Sequence, residues 1–545
     1  MTDDTVNIGA TLPTQARLQP TNTALVEAAT GRSLTFEELN RLADGYAHTL
    51  TEGGVRAGER VMLMVRPGGD FIALTYGLFK IGAPVILIDP GMGYKNLLRC
   101  IASVAPEVLI GIPKACFFKK LFSKPFATVR RSFCCGFSMG LFGADIRTAA
   151  RKNSKVFDSY PASSEELAAI IFTTGSTGPP KGVRYPHRVF QAQLRLIRDY
   201  YKIGPDEVDQ PGFPLFALFS TGLGAKAVIP DMDPTRPAQV DPVRFIKSIE
   251  HYGVTYSFGS PAIWKVIVDH CHAHGLKLDG LTRVLMAGAP VSGELISRMQ
   301  EILPEEAEIH TPYGATESLP VVSIEGREIV EETWEHTCTG HGTCVGRPLP
   351  GIEVKIIDSS DEPVAEIDMA TFSDVGKVGE IIVRGDVVTR AYDNNDKENR
   401  LAKIRDGEGF WHRIGDLGYM DEQGRVWFCG RKTHRVETED SVLYTICCEA
   451  IVNVHPDISR SALVGIPGRG SKMIPVIIVE PQPDFQDDEG LLLAEVREIA
   501  RVSQLTASIQ HFLIHPSFPV DIRHNAKIFR EKLAVWAKDE LGDTL

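Results

Sequence analysis

The chain has no unbroken apolar run long enough to cross a bilayer. Its most apolar stretch, residues 213–229, is interrupted by Lys226 and by glycines, and it falls short of the roughly 20 residues a spanning helix needs. No transmembrane segment is expected. Positive charge is also in short supply: 58 Lys and Arg stand against 70 Asp and Glu, for a formal net charge of -12. That balance argues against nucleic acid as a partner, which would call for a basic footprint. The opening residues, MTDD, lack the basic start and apolar stretch of a secretory signal. The 10 cysteines are scattered, two pairs of them adjacent in sequence (Cys134 with Cys135, Cys447 with Cys448), and they show no regular disulfide framework. The expected compartment is therefore the reducing cytoplasm. Internal repeats and low-complexity tracts are missing as well.

What is present is a long, ordinary globular composition. With 545 residues, 43% hydrophobic and 23% charged, the chain exceeds what one core organises. Thr35 and Glu38 form a capping-box pattern ahead of Phe36, Leu39, Leu42, Tyr46 and Leu50, which recur at helical spacing. Residues 61–65 and 85–88 read as strands and 71–81 as a helix, so a parallel sheet covered by helices is expected. Short strands are also expected at 255–258, 283–286 and 308–310. From Gly351 onward the pattern becomes β-rich, with strands at 353–357, 380–384 and 425–429. After residues 430–431 the pattern reads as a small α+β unit whose last helix runs from about 527 to 537. The expected class is α/β: a large N-terminal domain (1–430) of parallel sheets plus a β-rich subdomain, and a small mobile C-terminal domain (431–545).

Two stretches resist that scheme. Residues 113–143 interleave Lys114, Lys119, Lys120, Lys124, Arg130 and Arg131 with Phe, Leu and Cys. Such a basic amphipathic stretch suits a peripheral membrane or partner contact, or equally a helix packed on its own core. His336, Cys338, His341 and Cys344 present four soft metal ligands, but their spacing fits no common zinc module, so a plain loop is expected.

The chemistry concentrates at residues 172–182, FTTGSTGPPKG, directly after the apolar strand candidate 169–172. Gly175 and Gly178 permit close backbone approach, successive N–H groups make an anion nest, Thr173, Thr174, Ser176 and Thr177 add hydroxyls, and Lys181 adds a cation. A strand, Gly-rich turn and helix from about 187 to 201 would suit phosphate. It is not a Walker loop, because no Gly-Lys-Ser/Thr closes it.

This run resembles the signature of the adenylate-forming superfamily, which holds acyl-CoA synthetases, luciferases and peptide-synthetase adenylation domains. Other runs resemble its motifs in the same order: AGAP at 287–290, YGATE at 313–317, WHRIGD at 411–416 and GR at 430–431. The resemblance covers the chain from about Leu34 to the C-terminus and implies ATP and Mg²⁺. It implies that Gly288, Ala289 and Pro290 lie beside adenine, with Gly314, Ala315 and Thr316 around it and Tyr313 stacked on it. Glu317 would offer an oxygen to Mg²⁺. Asp416 and Arg431 would hold the ribose, and the catalytic Lys527 would reach the acyl carboxylate and the α-phosphate. The family usually has Gly before this lysine; here Ala526 stands there.

Other positions depart from the family. At the hinge, Thr433 stands where an acidic residue is usual. Glu439 and Asp440 replace a Gly-Gly turn near the pantetheine path, which argues against coenzyme A as acceptor. Ala217 replaces a common His beside an apolar run, 216–224, in which Phe216, Ala217, Ser220, Gly222 and Gly224 are expected to line an acyl pocket for a long aliphatic chain. The runs TPYGATESLP (311–320), GRKTHRV (430–436) and RHNAKIFR (523–530) are similar to one branch, the β-lactone synthetases of long-chain olefin biosynthesis. That resemblance implies a 2-alkyl-3-hydroxy fatty acid as substrate, whose own hydroxyl closes the ring after adenylation, with other enzymes of an olefin pathway as possible partners. His187, His310 and His434 lie near motifs as candidate bases for ring closure. The alternatives are a long-chain acyl-CoA ligase, a fatty acyl-AMP ligase serving a carrier protein, and a silent homologue acting in an assembly.

Overall fold

The computed structural model describes residues 6–173, 179–468, 472–520 and 528–542. The capping box forms as expected. The Glu38 N–H donates to the Thr35 hydroxyl at 3.2 Å, and the Thr35 N–H donates to the Glu38 carboxylate at 2.9 Å. This satisfies two otherwise orphaned donors and starts the helix Phe36–Glu52. Its buried face, Phe36, Leu39, Leu42, Tyr46 and Leu50, packs on the helix Gly69–Ile81.

That helix pair covers a six-stranded sheet. Its order is Arg131–Cys134, Val108–Gly111, Val61–Met64, Val85–Leu87, Leu167–Phe172, Gly182–Pro186. All neighbours are parallel except the last pair. The last strand corrects the sequence reading. Residues 172–182 lead first into the strand Gly182–Pro186, which stands ahead of the helix expected from about 187. They bridge two antiparallel strands, and the helix His187–Tyr200 begins only afterwards.

A second sheet has 14 strands. One half is parallel and contains Thr23–Glu27, Lys226–Ile229, Val208–Asp209, Tyr256–Gly259, Arg283–Met286 and Glu308–Ala315. The strand Ser318–Glu325 then turns back antiparallel and hands the sheet to the β-rich residues Thr343–Pro348, Val426–Arg431, Gly409–Met420, Gly379–Arg384 and Glu353–Ile357. The β-rich part is thus continuous with the parallel sheet and does not form a separate one.

Past Arg431 a smaller unit is built on three strands, Ile458–Pro467, Met473–Pro481 and His511–Ile514, with the helices Thr445–Val452, Glu489–Val502 and Arg530–Leu541. The last strand of the large sheet ends at Arg431, one residue past the expected boundary. Gly430 there has φ 135°, and an added Cβ would strike the Thr445 hydroxyl, so the connection between the units passes a point that suits only glycine.

Residues 113–143 are not one amphipathic helix. They form the short helix Pro113–Leu121, a run of turns, the edge strand Arg131–Cys134 and a loop. Phe126 and Cys134 are buried, while Phe117, Leu121, Phe137, Met139 and Leu141 are exposed. Among the described residues no helix is long and apolar enough to cross a membrane.

Candidate active site

The ends of four strands converge on one cavity of about 1570 Å³. Phe172 and Thr173, Ser260, Ala287 to Pro290, and Tyr313 to Thr316 all line it, each at or just past the carboxyl end of a parallel strand. Ligands of open α/β sheets collect there because the chain leaves the sheet and exposes backbone donors.

One wall is apolar. Phe258 stacks on Phe216 with ring centroids 3.9 Å apart, and Phe216, Phe219, Phe190 and Phe79 follow at 5.6, 6.3 and 5.8 Å. All five face the cavity. The expected acyl pocket is corrected in detail. Phe216 lines the cavity, but Ala217, Ser220, Gly222 and Gly224 do not. Ala217 is sealed in the core. Ser220 donates to the buried Asp209, whose carboxyl burial pushes up to about 7. Gly222 abuts Tyr76 and Thr11, and Gly224 ends its short helix at φ 88°. The run 216–224 is a helix, so only one of its faces reaches the cavity.

The other wall is polar. The Tyr313 hydroxyl donates to Asp416 Oδ2 at 2.6 Å, and Arg431 lies 3.0 Å from Asp416 Oδ1. Asp416 and Arg431 are register partners on adjacent strands, which sets this pairing. Burial pushes the Asp416 carboxyl up, against the pull of Arg431 and Tyr313. Gly314 stands where an added Cβ would collide with the Ser318 carbonyl, so the tight turn between the two strands excludes any larger residue. The Thr316 carbonyl accepts the Tyr185 hydroxyl. Gly288, at φ 102°, lines the cavity with Ala289 and Pro290.

Beside this lies a second cluster, in which Glu317 and Lys181 meet residues that the sequence reading did not contain. The Tyr392 hydroxyl donates to Glu317 Oε1 at 2.6 Å. Lys181 sits 5.2 Å from the centre of the Tyr392 ring and pairs with Glu398. Asn399 clamps the Tyr392 backbone from both sides, accepting its N–H at 2.7 Å and donating to its carbonyl at 3.2 Å. Lys403 donates to the Thr389 carbonyl, and burial draws its pKa to about 7 against the pull of Glu317. Tyr392 and Glu398 carry no local signal, because their partners lie 75 and 217 residues away.

Not every predicted residue is placed. Thr174, Gly175, Ser176, Thr177, Gly178 and Lys527 lie outside the described residues. Thr173 is described, and its hydroxyl accepts the Lys181 N–H at 3.2 Å, closing the base of the loop. Thr433 and His434 line the cavity. Glu439 and Asp440 sit at the exposed tip of the hairpin formed by Val436–Glu437 and Val442–Leu443, and they are not among the cavity residues.

The three candidate histidines differ. His187 is buried, its Nδ1 accepts the Ile8 N–H at 3.1 Å, and burial lowers its pKa to about 4. His310 contacts Glu308 at 3.2 Å and does not line the cavity. His434 does, but burial, Arg530 and Arg431 push it down to about 3, leaving a weakly basic neutral ring. His336 and His341 pack edge to face, 5.2 Å apart, while Cys344 is buried in the core. Among the described residues, no group of three or more His, Cys, Asp or Glu side chains is arranged to hold a metal.

The AMP-binding enzyme family matches residues 12–393. Two curated relatives match along nearly their whole length. The chain is 43% identical to the olefin beta-lactone synthetase of Stenotrophomonas maltophilia (strain K279a), with 98% of each chain covered. It is 42% identical to the olefin beta-lactone synthetase of Xanthomonas campestris pv. campestris, again with 98% of each covered. Among solved structures, ATP-bound MatB from Rhodopseudomonas palustris superposes with a TM-score of 0.79 at 19% identity, covering 99% of this chain and 100% of that one. The anthranilate CoA ligase AuaEII in complex with anthranoyl-AMP gives a TM-score of 0.80 at 17% identity, covering 99% and 98%. The apolar wall, the Tyr313, Asp416 and Arg431 group and these matches lead to one statement: the chain belongs to the AMP-binding enzyme family and is an ATP-dependent, adenylate-forming ligase.

Proposed function

We propose that this enzyme adenylates a long-chain 2-alkyl-3-hydroxy acid and closes it to a β-lactone. The observation that carries the reading is the 42–43% identity, over 98% of the chain, to two olefin beta-lactone synthetases. The file of five phenylalanines beside the polar wall supports it, since one cavity then offers an alkyl site next to a nucleotide site.

In the first step a carboxylate oxygen of the acid bonds to the α-phosphorus of ATP, and the bond to pyrophosphate breaks. The Tyr313 ring offers adenine a flat face, and Asp416, held by Arg431, accepts from the ribose hydroxyls. Lys181 leaves Glu398 for phosphate oxygens, and Thr174, Ser176 and Thr177 add donors. Lys527 balances charge on the α-phosphate and carboxylate as pyrophosphate departs. Magnesium fits at Glu317, where Oε1 is held by Tyr392 and Oε2 has no hydrogen-bond partner among the described residues; bound there, it would offset negative charge on the phosphates.

In the second step the substrate's 3-hydroxyl oxygen bonds to the acyl carbon. The acyl–phosphate bond breaks, its electron pair leaves with AMP, and the hydroxyl proton leaves on the phosphate of the departing AMP. Holding the nucleophile in line offsets roughly 7–11 kcal/mol of barrier, and the aromatic wall keeps water from the mixed anhydride. The thiols of all 10 cysteines are free, which suits a reducing cytoplasm.

The test is incubation with Mg·ATP and a 2-alkyl-3-hydroxy acid, with no coenzyme A, followed by mass spectrometry. A product lighter than the acid by one water, formed with AMP and pyrophosphate, is expected. A thioester made only when coenzyme A is added, with no lactone, would overturn the reading.

A further inference from the structure

We infer that the surface formed by the helix Pro113–Leu121 and the loop 136–143 docks on an anionic lipid bilayer. The inference rests on this surface alone and is independent of the reaction catalysed.

Five large apolar side chains stand out here, each between 59% and 79% exposed: Phe117, Leu121, Phe137, Met139 and Leu141. They form one patch because the loop lies along the helix. An added Cβ at Gly136 would meet Pro113 Cδ at 2.9 Å, and Lys120 sits 4.8 Å from the centre of the Phe142 ring. Behind them, Phe118 packs against Tyr94, Phe122 and Phe126, with centroids 5.8, 4.7 and 6.2 Å away. The exposed groups therefore project from an ordered base. A contiguous apolar patch of this kind is uncommon on a free surface and marks a contact.

Charge decides the occupant. Residues 113–143 hold six basic side chains and no Asp or Glu, in a chain whose formal net charge is -12. Lys119 and Arg131 are engaged locally, with Ser132 and Glu59. Lys114, Lys120 and Lys124 are exposed and make no ion pair among the described residues. Exposed Phe, Leu and Met side chains bordered by lysines match a headgroup region that is anionic outside and apolar a few ångströms in. A protein face of matching size would have to supply both an apolar socket and a ring of acids. A bilayer supplies both at any orientation of the patch.

The experiment is vesicle flotation of the full-length protein. Vesicles of phosphatidylcholine alone are compared with vesicles containing 30% phosphatidylglycerol, at low and high salt. Binding is expected to the anionic vesicles, to be weak on the neutral ones and to fall at least tenfold as salt rises. Each lysine near such a surface strengthens binding about fivefold. The triple variant Lys114→Glu, Lys120→Glu, Lys124→Glu is therefore expected to lose at least about a hundredfold. Met139→Ser with Leu141→Ser is expected to weaken binding while the salt dependence remains. Adenylation of a short water-soluble acid should be unchanged in both variants, which serves as the folding control. The inference fails if neutral and anionic vesicles bind alike or if the triple variant binds as the native protein does. It also fails if the native protein ignores vesicles and the patch is needed instead for association with a second protein.

Discussion

Replacing Tyr392 by Phe isolates a single hydrogen bond at the candidate metal position. The substitution keeps the ring over which Lys181 sits at 5.2 Å and removes only the hydroxyl, which lies 2.6 Å from Glu317 Oε1. Burial and the neighbouring Glu317 carboxylate raise the phenol's pKa well above its ordinary value, so the group is a neutral donor at every working pH. A hydrogen bond to a charged acceptor contributes about 1.5–3 kcal/mol. Glu317 lines the cavity, so its freed oxygen can rehydrate, and the lower end, about 1.5 kcal/mol, applies. That equals roughly a tenfold change in an equilibrium constant. Because Tyr392 holds Glu317 and does not touch the reacting atoms, the loss should appear in magnesium dependence. The assay is pyrophosphate release at fixed ATP across a magnesium titration. Tyr392→Phe should raise the half-saturating magnesium about tenfold and recover to within about threefold of native kcat at saturation. The reasoning is refuted if half-saturation moves by less than twofold, or if kcat at saturating magnesium falls tenfold with the titration midpoint unchanged.

Two further outcomes follow from the same chemistry. Lys527→Ala should lower adenylation by orders of magnitude while ATP still binds, as read by pyrophosphate exchange beside nucleotide titration; near-native exchange would remove Lys527 from the mechanism. His187 should make the fold acid-sensitive. Its folded pKa of about 4 lies below the ordinary value of 6.5, so the unfolded chain binds the proton first as pH falls. The stabilisation is full above about pH 6.5 and is lost progressively toward pH 4, by about 2 kcal/mol at pH 5. His187→Gln, which does not titrate, should show a shallower fall of Tm between pH 7.5 and 5, and an unchanged slope would assign the acid sensitivity elsewhere.

Local rules were legible in the sequence where the partners are close along the chain. The Thr35 and Glu38 box needed only three residues of separation, and it formed. The strand Arg283–Met286 and the strand Glu353–Ile357 match the apolar runs that announced them. Reading residues 216–224 as a pocket went too far, because composition cannot say which side of a helix faces the cavity; only Phe216 of the five does. The strand Gly182–Pro186 was missed for a related reason. Five residues carry little periodicity, and only pairing with Leu167–Phe172 makes them a strand.

From the sequence alone came the class of chemistry. The glycines, hydroxyls and one lysine of the run 172–182 suit phosphate, and that run, followed in order by the motifs at 287, 313, 411 and 430, resembles the adenylate-forming superfamily, which implied adenylate formation. It could not say what holds the site ready. That was decided by the tertiary fold, which brings Tyr392 to Glu317 across 75 residues and Lys181 to Glu398 across 217, and sets Asp416 opposite Arg431 by strand register. Such contacts depend on how distant strands and helices pack, and no local pattern in a single chain encodes the distance between them.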